Sequence, residues 1–143
     1  ENLSKLIQKN RQILSKIIKN ALIQKTINVY GHGKYFRDYV HVMDVAEANL
    51  KALNYCRENK GYQMFNIGSG IPTSNLEIIN EVQRHLGKIN TEIADARNEL
   101  YYSLADITKA KEILDWTPAK SSIDKIVASA VKWYNMTHKK EIQ

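Results

Sequence analysis

Runs rich in β-branched and aromatic residues alternate along this chain with amphipathic stretches, and each change of period is marked by a glycine or a capping residue. "TINVY" (26–30) breaks at Gly31-His32-Gly33, "DYVHVM" (38–43) leads to Asp44, and "YQMFNIG" (62–68) stops at Gly68-Ser69-Gly70. Asp44 with Glu47 has the spacing of a capping box for a helix through Leu53. Ser74 with Glu77 has it for a helix carrying Leu76, Ile79, Val82 and Leu86, closed by Gly87. A short run, "TEIADA" (91–96), follows. Asp106 then reads as the cap of a helix with Ile107, Ala110, Ile113 and Leu114 that ends near Trp116 and Pro118, and Ser121 or Ser122 opens a last helix through Ile126, Ala130 and Trp133. Strands alternating with helices predict an α/β fold. The 143 residues suffice for one domain that buries about two thirds of its unfolded surface.

The charge is uneven. Of the net +6, residues 1–25 hold +5, with Lys5, Lys9, Arg11, Lys16, Lys19 and Lys25 against Glu1 alone. These alternate with Leu3, Leu6, Ile7, Ile13, Leu14, Ile17, Ile18 and Leu22, which predicts a basic amphipathic helix over 1–25 with its lysines in water, followed by a domain over 26–143. A nucleic-acid or acidic-membrane surface is the rival reading of that helix, and neither partner is expected. No apolar run approaches the length that crosses a bilayer. The lone Cys56 excludes an internal disulfide framework and favours a reducing, cytoplasmic setting. A chain that opens on Glu1 is expected to be processed or a piece of something longer.

Tyr30 and Lys34 stand four residues apart, a spacing at which two residues on one helix share a face and an ammonium depresses a phenol's pKa. The residues between them are Gly31, His32 and Gly33. Two glycines in one helical turn cost roughly 2 kcal/mol of propensity relative to alanine. Gly-x-Gly after a β-rich run reads as a turn, so Tyr30 ends a strand, Lys34 lies beyond a loop, and no catalytic residue is assigned. His32, His41, His85 and His138 are scattered over different elements and predict no metal site. His41 alternates with Tyr39 and Met43 as on a strand face. Met64, Phe65 and Ile67 read as core, and Trp116 and Trp133 as anchors of the last two helices.

In order and spacing, "VYGHGKYFRDYVHVMDVAEANLKAL" (29–53), "FNIGSGIPTSNLEII" (65–79) and "SLADITKAKEILDWTPAKSSIDKIVASAVKWY" (103–134) resemble the C-terminal part of extended short-chain dehydrogenase/reductases acting on nucleotide sugars. UDP-glucose 4-epimerase-like NAD-dependent epimerases and dehydratases are the nearest match. The resemblance implies the C-terminal portion of a Rossmann-type fold. No Gly-x-x-Gly-x-x-Gly or Gly-x-Gly-x-x-Gly occurs, and Thr73 stands where a third glycine would follow Gly68-Ser69-Gly70. The dinucleotide-binding half is therefore expected to be missing, with NAD a cofactor of the full-length parent and none bound by this chain alone.

The same resemblance implies the site residues. Arg37 matches the arginine of an Arg-Asp-Tyr/Phe-Val/Ile motif that holds the diphosphate, where a guanidinium fork gives bidentate, charge-assisted bonds. Asn28 and Tyr30 match the strand end against which the uracil lies. Arg97 and Glu99 match an arginine for phosphate and an acid for the ribose hydroxyls, with Asn98 in place of the family's glycine and one residue fewer between them. The expected partner is a UDP-sugar or similar nucleotide-sugar, bound by a portion inactive alone. The alternative is a stand-alone module that self-associates through its basic helix, and either reading predicts a homo-oligomer because strands left without neighbours expose apolar edges.

Overall fold

The computed structural model describes residues 13–137, so the first half of the expected basic helix and His138 lie outside the described residues. Its elements are α1 (Ile13–Leu22), β1 (Ile27–Tyr30), a single turn at Gly31–Gly33, β2 (Phe36–Asp38), α2 (Val42–Glu58), β3 (Pro72–Ser74), α3 (Asn75–Leu86), β4 (Thr91–Ala94), α4 (Thr108–Leu114) and α5 (Ile123–Thr137). The chain divides into two compact units. One takes residues up to 35, 74–99 and those from 127, and the other takes 36–73 and 100–126.

In the first unit, α1 buries Leu14, Ile17 and Ile18, an i, i+3, i+4 stripe, and packs against α3, which buries Ile78, Ile79 and Val82. Each fully buried Ile or Leu contributes about 1.5–3 kcal/mol relative to exposure. The capping box forms as the spacing predicts: Glu77 N–H donates to Ser74 Oγ at 3.2 Å, and Ser74 N–H donates to Glu77 Oε2 at 2.7 Å. Along β1, Ile27 and Val29 are buried and Asn28 is exposed, the period-2 pattern of a half-buried strand. β1 pairs in parallel with β4, Ile27 opposite Thr91 and Tyr30 opposite Ala94.

The second unit is built on Ala48, Ile107, Ala110, Leu114 and the fully buried Trp116, with Phe65 and Ile67 partly buried against them. β2 pairs with β3, and α4 ends where Asp115 turns left-handed at φ 48°. Asp106, expected as the cap of α4, stands one residue before the cap: Ile107 is the N-cap and makes no side-chain cap bond, while Asp106 Oδ1 accepts the N–H of Thr108 at 3.0 Å.

Five local expectations are corrected here. The strand-like run "DYVHVM" is strand only through Asp38, and α2 starts at Val42 with His41 as its cap, its Nδ1 accepting from Met43 N–H at 3.2 Å. Asp44, expected as that cap, is instead fully buried in the first turn, where Oδ2 accepts from Lys120 N–H at 2.8 Å and Ser121 Oγ–H at 2.5 Å. "YQMFNIG" forms no strand, since β propensity makes a strand only beside a ladder partner. Within that run Met64, expected in the core, is 67% exposed, and Trp133, expected to anchor α5, is 55% exposed.

Candidate functional site

Because β1 and β4 are parallel, their carboxyl ends lie side by side, and in open α/β sheets ligands bind outside such ends. Beyond β1, Gly31, His32 and Gly33 all have positive φ (55°, 55° and 74°), which reverses the chain at once. Only His32 pays a side chain's steric cost there, of about 1–2 kcal/mol. Tyr30 and Lys34 are thus separated by a left-handed turn and share no helix face, and the turn reading holds.

Three of the residues singled out by sequence meet at this end of the first unit. The Arg97 guanidinium lies over the Tyr30 ring, Cζ 3.5 Å from its centroid, a cation–π contact. Asn28, two residues before Tyr30 on the same strand face, directs Nδ2 at the Tyr30 hydroxyl from 3.5 Å. The hydrogen bond from Asn28 and then that from Arg97 hold the Tyr30 phenol below its usual pKa, since both favour the phenolate. Glu99 N–H donates to Arg97 O at 2.9 Å, which places both residues of the Arg-Asn-Glu stretch in one tight turn. Asn98 needs no positive φ there, so the absent glycine costs this turn nothing.

Arg37 sits in the second unit at the middle of β2, where Nη1 donates to Phe36 O at 2.7 Å. It lines a cavity of about 400 Å³ together with Asp38, Asn66, Gly68, Ser103 and Asp106. Asp38 organises one wall. Its Oδ1 accepts from Ser69 N–H and Ser69 Oγ, both at 2.6 Å, and its Oδ2 from Gly70 N–H at 3.1 Å and Ala105 N–H at 3.2 Å. A Cβ on Gly68 would collide with the Asp38 carboxylate and come within 2.7 Å of Ala105 Cβ, so glycine is required for the close approach. Tyr39, next along the chain, has its pKa pushed up to about 12 by burial, only partly offset by the Arg37 charge. The four-bonded role of Asp38 left no trace in the sequence, because its partners lie 31–67 residues away.

The same contacts test the Gly68-Ser69-Gly70 loop as a dinucleotide cradle, and it does not fit. A pyrophosphate needs free backbone N–H groups opening onto a helix N-terminus. Here Ser69 and Gly70 donate to Asp38, the loop enters β3, and the first turn of α3 is satisfied by its own capping box. Among the described residues no group of three His, Cys, Asp or Glu side chains could hold a metal ion, and no helix is long and apolar enough to cross a membrane.

Residues 5–68 match the model of the NAD dependent epimerase/dehydratase family. A UDP-glucose 4-epimerase of Streptococcus mutans is 41% identical over 105 residues, covering 72% of this chain and 32% of that protein. Among solved structures, a UDP-glucose 4-epimerase of Thermotoga maritima with UDP-glucose aligns at TM-score 0.76 and 29% identity, over 88% of this chain and 40% of that one. That of Bifidobacterium longum, in complex with NAD+ and UDP, aligns at TM-score 0.77 and 27% identity, over 88% and 40%. The chain spans about a third of the length of the curated relatives it matches.

Proposed function

Since this chain belongs to the NAD dependent epimerase/dehydratase family and has the α/β fold of the C-terminal portion of its extended short-chain dehydrogenase/reductase members, we propose that it is the nucleotide-sugar-binding portion of a UDP-sugar 4-epimerase-like enzyme. The observation that carries this is the meeting of Tyr30, Asn28 and Arg97 at the carboxyl ends of β1 and β4, from positions 67 residues apart. An aromatic face offers a stacking surface for a base, the Asn28 amide offers a donor and an acceptor, and a guanidinium recognises phosphate oxygens two at a time. Glu99, in the same turn, is assigned the ribose hydroxyls; Arg37, on β2, is separately assigned a diphosphate. The redox step that the family name implies is assigned to the remainder of a longer protein, so this chain binds and orients the nucleotide-sugar and turns over nothing alone.

Calorimetric titration of UDP tests the assignment. Arg97→Ala and Arg37→Ala each remove charge-assisted bonds of roughly 1.5–3 kcal/mol, a loss of about ten- to a hundredfold in affinity. Affinities within twofold of wild type in both variants would remove these arginines from the site.

Self-association is the second reading, and a specific observation favours it. Val42, Met43, Leu50 and Leu53 leave an apolar stripe exposed on α2. The described part of the basic helix has already buried its apolar face in its own unit, so α2 rather than α1 is the surface for pairing. Light scattering of wild type and Leu50→Glu decides: a dimer lost in the variant supports pairing, and a wild-type monomer at tens of micromolar refutes it.

A further inference from the structure

We propose that Tyr35, which no motif singles out, is a positioning residue that fixes Arg97 over the Tyr30 ring; the nucleotide part of this proposal rests on the reading of Arg97 as a phosphate ligand. The Tyr35 hydroxyl donates to Arg97 O at 2.8 Å and accepts from Arg97 N–H at 2.7 Å. One phenol thereby holds both polar backbone groups of a single residue, as a strand neighbour would, in a segment that belongs to no helix or strand. Arg97 itself is exposed, so without this clasp nothing in regular structure would fix its backbone.

Tyr35 is suited to the task because it is itself immobilised. It is 5% exposed, and its carbonyl accepts the N–H of Asn75, the first residue of α3. Its ring lies against Gly31, where a Cβ would stand 2.7 Å from Tyr35 Cε2 and 3.1 Å from Cζ. The glycine of the left-handed turn therefore serves twice, reversing the chain after Tyr30 and leaving room for the ring that holds Arg97. Phenylalanine would fill the same volume and hold nothing, which makes Tyr35→Phe the discriminating change.

Two readouts on the whole chain separate this proposal from the one it rests on. In the free protein, the δ protons of Arg97 should resonate upfield in wild type through the Tyr30 ring current and return to unshifted positions in Tyr30→Leu. Tyr35→Phe should likewise abolish the shift while the thermal melt stays cooperative. An unshifted wild type, or a shift retained in Tyr35→Phe, overturns the proposal. Should Tyr35→Phe not fold, Gly31→Ala, which forces the ring aside but keeps the hydroxyl, makes the same comparison, and a retained shift there also overturns it.

The second readout is UDP affinity. Tyr35→Phe should weaken it about tenfold, toward Arg97→Ala, and the double variant should be no weaker than Arg97→Ala alone. Losses that multiply in the double variant would show that Tyr35 acts otherwise than through Arg97, and overturn the proposal. If Arg97→Ala leaves UDP binding unchanged while Tyr35→Phe abolishes the proton shift, the nucleotide reading falls and the positioning role stands.

Discussion

Replacing Asp44 by alanine should cost this protein about 3 kcal/mol, a large part of the ~5–15 kcal/mol that separates a folded domain from its unfolded chain. The carboxylate is fully buried, and its Oδ2 receives Lys120 N–H at 2.8 Å and the Ser121 hydroxyl at 2.5 Å. Ser121 Oγ in turn accepts the N–H of His41 at 2.9 Å, so one oxygen ties the capping residue of α2 to the segment that precedes α5. Alanine leaves the buried Ser121 hydroxyl and the part-buried Lys120 N–H without an acceptor, at roughly 1–3 kcal/mol each and less for the latter, offset in part by relief from desolvating a charge. With a urea m-value of about 1.5 kcal/mol/M, the midpoint should fall by about 2 M at unchanged m. Asp44→Asn keeps one acceptor oxygen but loses the charge assistance, and should lie about halfway. In a double-mutant cycle Ser121→Ala should add less than its single cost, because the two share a bond. A loss under ~1 kcal/mol in Asp44→Ala, or strict additivity with Ser121→Ala, would refute the reasoning.

Two further outcomes are expected. Tyr39→Phe removes a buried hydroxyl that has no partner among the described residues and whose burial raises its pKa to about 12, so urea melts should show stability unchanged or higher by up to ~1 kcal/mol. In acid, burial alone would raise the Asp44 pKa, but the Ser121 hydroxyl and Lys120 N–H outweigh it and hold it below 3.8, and the Ser74 bonds hold Glu77 below 4.5. A depressed carboxyl contributes stability that is complete above its unfolded pKa and is lost as pH falls through the folded value. Urea midpoints should therefore be flat above about pH 5 and decline below it, and Glu77→Gln should shallow that decline.

What was legible in the sequence is what neighbours along the chain decide. Ser74 and Glu77 form their box because three residues settle it, and Gly31-His32-Gly33 makes its turn because two glycines make an α-helix costly there and admit the positive φ the reversal takes. Asp44 misled for the same reason: its spacing to Glu47 is that of a cap, but its partners Lys120 and Ser121 come from more than 70 residues away, and His41 takes the end of α2. "YQMFNIG" has strand composition and no strand, because composition does not supply a neighbour. In the site, the resemblance singled out Asn28, Tyr30 and Arg97, and the parallel register brings them together. Tyr35 went unread, since an aromatic after a turn shows nothing of a backbone 62 residues on.

Because each unit draws on alternating stretches of chain, a single cut cannot part them, whether by protease or by gene truncation. Expression of residues 36–126 alone would carry 74–99 along without the strand they pair with. During synthesis β1 leaves the ribosome 64 positions ahead of β4, roughly 3–13 s at ~5–20 residues per second. Closing that span costs about 4 kcal/mol of chain entropy before the first ladder bond repays any of it. Through those seconds Ile27 and Val29, both buried in the finished fold, wait for their β4 partners, and an apolar strand left waiting is open to aggregation.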